Sequence, residues 1–418
     1  MQFVLFLNQL IGLLFIMCYS YQVCYILVPF IKKEKKIYNA AEQNRLAVLI
    51  SARNEARVIG HLIESIKAQT YNPELIDVYV VADNCTDNTA DIAESLGANV
   101  YKRFDNVNIG KGYALNFLLD KINNKHGNDY YDGYFVIDAD NILDNRYIEE
   151  MNKMLSGGYN VVTSYRNSKN YGDNWISAGY GLWFLRESKY LNYSRMLMNT
   201  SCAISGTGFL FDKEIAKNLN GWKYYLLTED IEFTVDHVIR DYKIGYCHRA
   251  VLYDEQPNTF RQSVRQRMRW AKGYFQVLCN YGPRLVKGVF GKNKFSCFDM
   301  SMSIVPALML TIFGGVINIT AAITGLLTGV SVQPVLQSFF GGMCSMYLLM
   351  YVIGLITTIT EWKKIYTSAF KKLLYTFTFP IFMITYIPIS IMAFFKKVEW
   401  KPIVHSEAKS LADIKSVN

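Results

Sequence analysis

Three long stretches of this chain carry no charged side chain: Met1 to Ile31, Met300 to Thr360 and Leu373 to Phe395. A water-soluble fold spaces its charges more evenly. About 20 apolar residues of helix span a hydrocarbon core. The pattern therefore predicts membrane segments on both sides of a soluble middle, Lys32 to Asp299, which is long enough to bury its own core. With 51% hydrophobic residues, disorder is excluded as a general reading.

Residues 1–31 read as one span. Its positive flank (Lys32, Lys33, Lys35, Lys36) follows the apolar run, the reverse of a signal peptide. The same flank puts the N-terminus outside and the middle, residues 32–283, in the cytoplasm. Met300 to Thr360 divides at the uncharged Thr328–Gln337 hinge, giving spans at 300–327 and 336–360 behind an interfacial segment, 284–299. Basic residues flank this pair at both ends. Stretch 373–395 has two readings. As a third trailing span it would put the tail 396–418, with Lys396, Lys397 and Lys401, outside, against the charge rule. Pro380 and Pro388 allow a re-entrant or interfacial element instead. The net charge of +9 then belongs to membrane flanks, not to nucleic acid. Eight scattered cysteines without a Cys-x-x-Cys pair point to a reducing compartment.

The middle alternates short apolar runs with helical periodicity. Leu46–Ser51, Asp77–Ala82, Val100–Tyr101, Tyr134–Ile137 and Asn160–Ser164 read as strands. Val58–Thr70, Thr89–Leu96, Tyr113–Ile122 and Tyr147–Leu155 read as helices. This order predicts an α/β fold with a mainly parallel sheet, whose ligands sit at the carboxyl ends of strands. Three strands end in polar or acidic residues: Arg53-Asn54-Glu55, Asp83, and Asp138-x-Asp140.

Each candidate has a plain reading beside the functional one. Asp138 and Asp140 suit Mg²⁺ or Mn²⁺ on a diphosphate, or are an acidic turn. Asp83 can accept from a nucleobase or ribose. Gly110-Lys111-Gly112 can meet a phosphate, but lacks the P-loop frame. Thr228-Glu229-Asp230 opens a helix, where Thr caps and acids are favoured; Asp230 can also be a general base. Gln266, Arg269 and Trp270 share a helix face. Arg269 can grip a diphosphate and Trp270 can stack on a sugar. Arg261, Arg265 and Arg267 suit either a diphosphate or anionic lipid. Ser205-Gly206-Thr207-Gly208 is a tight turn or an acceptor approach. His405, the lone histidine of the tail, is structural or a metal or phosphate contact.

Taken in order, Asp83, Asp138-x-Asp140, Thr228-Glu229-Asp230 and Gln266-x-x-Arg269-Trp270, followed by apolar segments, resemble the family 2 glycosyltransferases of the membrane-embedded polysaccharide synthase type. The resemblance covers nearly the whole chain. Cellulose, chitin, hyaluronan and poly-N-acetylglucosamine synthases share this layout. One leading span and about three trailing ones look most like bacterial N-acetylglucosaminyltransferases of the nodulation chitin-oligosaccharide type. The resemblance implies a GT-A, Rossmann-like cytosolic domain between an N-terminal and about three C-terminal transmembrane helices. It implies an inverting displacement from a UDP-sugar, most plausibly UDP-GlcNAc, to a polysaccharide or oligosaccharide. Asn54, Glu55 and Asp83 would hold the nucleoside. Asp138 and Asp140 would hold Mg²⁺ or Mn²⁺ and the diphosphate, with Lys111 nearby. Asp230, beside Glu229, would be the base. Gln266 and Arg269 would meet the leaving nucleoside diphosphate, and Trp270, Gly206 and Thr207 the acceptor. Ser-Gly-Thr-Gly replaces the Cys-Gly stretch of the cellulose and hyaluronan enzymes, which counts against those polymers. Two rivals remain: single-sugar transfer to a membrane lipid, and a catalytically silent export or scaffold subunit.

Overall fold

The computed structural model describes residues 2–33, 42–304, 306–329, 331–403, 405 and 407–416. Lys35 and Lys36 of the first basic flank, and Val404 beside His405, lie outside the described residues.

Eight strands form one sheet: β1 (Leu46–Ala52), β2 (Ile76–Asp83), β3 (Asn99–Arg103), β4 (Gly133–Asp138), β5 (Ile142–Leu143), β6 (Val161–Ser168), β7 (Phe209–Asp212) and β8 (Ile244–Asp254). Their order is β3-β2-β1-β4-β7-β6-β8-β5. Side chains alternate across the sheet. Leu46, Val48 and Ile50 pack with Ile59, Leu62 and Ile63 on one face. Ala47 and Leu49 pack with Leu115, Leu118 and Leu119 on the other. Cover on both faces explains why these strands read as unbroken apolar runs.

The β3-β2-β1-β4 half is parallel, and Ser51 stands level with both Val81 and Asp138. β7 then runs antiparallel between β4 and β6, and β5 runs antiparallel on the edge. The sheet is therefore mixed where the sequence pattern predicts a mainly parallel one. Between β6 and β7 the helix Trp175–Arg186 packs on the sheet face through Ala178, Leu182 and Leu185, and β7 then returns antiparallel to both of its neighbours. β8 has no clean signal in the sequence because it bulges. The partner of Ser164 is Cys247, but the partner of Tyr165 is Val251.

Among the described residues, three helices are long and apolar enough to cross a membrane: Gln2–Ile31, Gln333–Thr360 and Ala369–Phe395. A further apolar helix runs Pro306–Thr328. The leading helix docks through Asp299, on the helix Lys294–Ile304. Asp299 accepts from Arg195 Nε (2.7 Å) and Nη2 (3.1 Å), and from the hydroxyls of Tyr21 (2.8 Å) and Tyr25 (2.7 Å).

Ala369–Phe395 breaks at Thr385, between Pro380 and Pro388. Pro388 has no N–H for the Ile384 carbonyl. Arg267, on the helix Phe260–Gly288, reaches this break. Its Nη1 donates to the Phe382 carbonyl (3.1 Å) and to Thr385 Oγ1 (2.7 Å). Arg267 is fully buried, whereas Arg261 and Arg265 are exposed. The grouping of Arg267 with lipid- or diphosphate-facing arginines is therefore corrected. The broken arm also lies tight on the helix Trp175–Arg186, where a Cβ on Gly179 would stand 2.4 Å from the Phe382 ring. That helix starts at a capping box, with Asn174 Oδ1 accepting from the Ile176 and Ser177 N–H groups.

Candidate active site

A cavity of about 490 Å³ opens at the carboxyl ends of β1, β2, β4 and β8, a volume typical of small-molecule sites. Glu55, Asp83, Lys111, Asp138, Asp140, Gly206, Glu229, Asp230, Gln266, Arg269 and Trp270 all line it. Asn54 and Thr207 stand behind the wall. Asn54, exposed and at φ 59°, accepts the Thr86 N–H on Oδ1 (2.7 Å), tying the loop after β1 to the loop after β2. Thr207 Oγ1 accepts from Asp138 N (2.9 Å) and donates to Asn141 (2.6 Å).

The Ser205–Gly208 turn brackets the centre. The Gly206 N–H donates to Asp230 Oδ2 (2.6 Å), and its carbonyl accepts from Lys111 Nζ (2.7 Å). Lys111 also donates to Asp138 (2.5 Å) and stands 3.9 Å from Glu229. Burial disfavours its charge, but Asp138 and Glu229 outweigh burial and its pKa is raised. The sequence predicts Thr228 as a cap, yet its hydroxyl makes no capping bond. Gly273 packs so closely on Thr228 that a Cβ there would fall 2.4 Å from Oγ1. The buried Oγ1 of Thr228 and Oε1 of Gln266 have no hydrogen-bond partner among the described residues. Both belong to residues that line the cavity, as groups awaiting a ligand would. Arg269 donates to the Leu227 carbonyl (2.8 Å), clamping the chain just ahead of the Glu229–Ile239 helix to the long helix.

At the β2 end of the cavity, Asp83 is buried and paired to Arg103 (2.5 Å). Nine carboxylates line the cavity against five lysine and arginine side chains. This excess fits a bound divalent cation. Asp140 accepts the Glu255 N–H (3.1 Å), and no lysine or arginine nitrogen among the described residues pairs with it. The described residues hold no ready-made set of three His, Cys, Asp or Glu ligands. Asp138 and Asp140 would thus supply only part of the oxygen shell of such an ion.

Sequence reasoning missed several lining residues. Arg166 donates Nε to Asp254 (2.6 Å) and Nη1 to the Ser205 carbonyl (2.8 Å). Burial pushes Asp254 up to about 6, against the pull of Arg166. Asp254-Glu255 follows a strand, the same signal as Asp83, but the bulge in β8 hid the strand. The tail also returns here. Trp400, Lys401, Pro402 and Ile403 line the cavity, and His405 Nδ1 lies 2.9 Å from Glu55 Oε1. Burial opposes the imidazolium charge, but Asp140, Glu55 and Glu255 outweigh it and push His405 up to about 10.

Residues 43–273 match the family described as Glycosyltransferase like family 2. The chain is 27% identical over 288 residues to the probable glycosyltransferase YdaM of Bacillus subtilis (strain 168), covering 63% of this chain and 62% of YdaM. It is 27% identical over 239 residues to a poly-beta-1,6-N-acetyl-D-glucosamine synthase of Staphylococcus epidermidis, covering 56% and 55%. It is 23% identical over 243 residues to the beta-monoglucosyldiacylglycerol synthase of Synechocystis sp., covering 57% and 49%. The chain thus spans about half to three-fifths of these relatives. The mannosyltransferase PcManGT from Pyrobaculum calidifontis, solved with GDP-Man and Mn²⁺, has the same fold. Its TM-score is 0.59 at 15% identity, over 92% of this chain and 99% of PcManGT.

Proposed function

Starting from a chain that belongs to the glycosyltransferase-like family 2, we propose a membrane-bound inverting transferase that moves a sugar, GlcNAc first among candidates, from a UDP-sugar to a growing β-linked polysaccharide or oligosaccharide. One observation carries this reading. A single cavity joins Asp83 and Glu55, the Asp138–Asp140 pair, Asp230 and Arg269. Glu55 and Asp83 hold the nucleoside. Asp138 and Asp140 would hold Mg²⁺ or Mn²⁺, which when bound neutralises diphosphate charge. Lys111 and Arg269 stand by the leaving group. Asp230, oriented by the Gly206 N–H, takes the proton of the acceptor hydroxyl as that oxygen attacks the anomeric carbon. His405 supports the nucleoside side through Glu55.

The tail supports a membrane placement. Lys371 Nζ donates to the Gly172 carbonyl (2.7 Å) at one end of the broken arm. Beyond its other end, Glu407 N donates to Glu255 (3.0 Å) and Lys415 pairs with Asp144 (2.7 Å). Both ends of 369–395 thus return to the catalytic domain. The arm is a re-entrant or surface-lying element, and residues 2–31, 306–328 and 333–360 make the crossings. The same reading keeps a cytoplasmic unit at 32–283 and an interfacial segment at 284–299 as proposed limits.

A second reading, single-sugar transfer to a lipid, is favoured by the far wall. Tyr19, Ile304, Met383 and Ile387 there come from membrane-associated helices. Mass analysis of products from mixed UDP-sugars, with Mg²⁺ or Mn²⁺, decides between them. A ladder of N-acetylhexosamine increments is expected. A product with one sugar on a lipid selects the second reading, and no use of any UDP-sugar defeats both.

A pH dependence follows. Burial pushes Glu229 up to about 7 against the pull of Lys111, with Asp230 adding to the rise. Burial raises Asp230 too. A base must be ionised, so activity is lost as pH falls through the raised pKa of Asp230. We expect kcat/KM to fall about tenfold per unit on this acid limb, which lies at higher pH than an ordinary aspartate would give. Glu229→Gln removes a neighbouring charge and should move this limb to lower pH. A limb that stays in place in that variant contradicts the pairing.

A further inference from the structure

Glu187 is a carboxylate in the same cavity that neither the family motifs nor the mechanism above uses. It stands where the helix Trp175–Arg186 opens into a π-helical turn, Glu187–Asn192. Such turns frequently mark functional positions. Glu187 stands four and three residues after Trp183 and Phe184, so the three share one helix face and line the cavity together.

Its surroundings have two features. The first is aromatic walls: Trp183, Phe184, Trp270, Tyr274 and Tyr386 all line this part of the cavity. Trp270 is fixed edge-on against Phe184, at 6.2 Å between ring centroids. The second is an uncommitted carboxylate. Its nearby cation, Arg166, is already engaged by Asp254 and the Ser205 carbonyl, and lies 3.7 Å over the Phe184 ring. No lysine or arginine nitrogen among the described residues forms an ion pair with Glu187. Ser205, which partly offsets the rise that burial gives the Glu187 pKa, comes one residue before the Gly206 N–H that orients Asp230.

A half-buried carboxylate with free acceptor capacity, set among ring faces, matches one ligand chemistry well. Adjacent hydroxyls of a sugar ring can both donate to one carboxylate, while the C–H face of the ring packs on aromatic surface. A diacylglycerol head offers one hydroxyl and no ring. We propose that Glu187, with Trp183, Trp270 and Tyr274, forms the subsite that recognises the terminal sugar of the acceptor and presents its hydroxyl to Asp230. The inference rests on the glycosyltransferase reading above and commits the acceptor to the glycan class.

The test uses the full chain in detergent, UDP-GlcNAc as donor and N,N′-diacetylchitobiose as acceptor. Glu187→Gln and Glu187→Ala should raise the acceptor KM by about 10–100-fold, the range for a lost hydrogen bond to a charged group. Glu187→Asp should recover part of it. Affinity for UDP, measured by titration calorimetry, should stay within about threefold, marking a folded protein with its donor half intact. An unchanged acceptor KM in both variants, with the unaltered enzyme active on the disaccharide, overturns the subsite alone. So does a joint loss of UDP affinity and acceptor affinity, which marks a structural role. An unaltered enzyme that ignores the disaccharide and glycosylates only diacylglycerol overturns the glycan reading and the subsite with it.

Discussion

Asp230→Asn is expected to lower sugar transfer by about 10²–10⁴-fold, the usual contribution of a positioned base, while UDP-sugar binding persists. The substitution is close to isosteric. An amide oxygen at this position can still accept the Gly206 N–H, so the Ser205–Gly208 turn and its contact with Lys111 stay in place. What the amide cannot do is take a proton. Asp230→Ala tests the other half of the argument. It frees the Gly206 N–H and should loosen the turn that also supports Asp138 through Thr207, weakening donor binding as well as turnover. Transfer rate and equilibrium UDP binding, measured on both variants, separate the two roles. Normal polymer output from Asp230→Asn would remove the base assignment and restore the scaffold alternative.

The second large effect is structural. Arg195→Ala should cost about 3–5 kcal/mol, the typical penalty for breaking a buried ion pair. That is a large part of the 5–15 kcal/mol by which a domain is usually stable. The Arg195 and Asp299 side chains are 2% and 0% exposed, so solvent cannot replace the lost partner. Tyr21 and Tyr25 would still donate to Asp299, but hydroxyls bring no countercharge. The damage should spread to the cavity, because Tyr19, just ahead of these tyrosines, lines it. Thermal unfolding in detergent should show a clear fall for Arg195→Ala. A double change of Arg195 and Asp299 to apolar residues should cost less than either single change. A midpoint for Arg195→Ala within about 2 °C of the unaltered protein would falsify the clamp.

Much of the site was legible in the chain itself, for identifiable reasons. Asp83, Asp138 and Asp140 stand out because a buried strand reads as a short apolar run, and an acid at its end is a sharp contrast. Gln266, Arg269 and Trp270 stand out because a helix repeats every 3.6 residues, and all three line the cavity. Arg166, Asp254 and Glu255 were hidden. β6 and β8 meet across about 80 residues of sequence, and the bulge after Cys247 disrupts the alternation that would have announced β8. Glu187 was hidden because no acid-ended strand or polar helix face marks it, and only the fold brings it to the cavity. The tail was hidden by distance alone, since His405 and Glu55 are 350 positions apart. Thr228 and Arg267 show how local rules mislead. Thr228 has the right residue type and position for a cap, but Gly273 presses on its side chain. Arg267 sits in a basic run but turns inward to a break made by a distant proline.

That inward turn links two parts of the molecule mechanically. Straightening the broken arm would strand the Arg267 guanidinium in an apolar interior, so the long helix and the arm must tilt as one lever. Arg269 and Trp270 lie two and three residues along the same helix. On the proposed reading, a displacement of the arm by a change in membrane thickness or lateral pressure would be delivered to the residues assigned to the departing diphosphate and the incoming sugar.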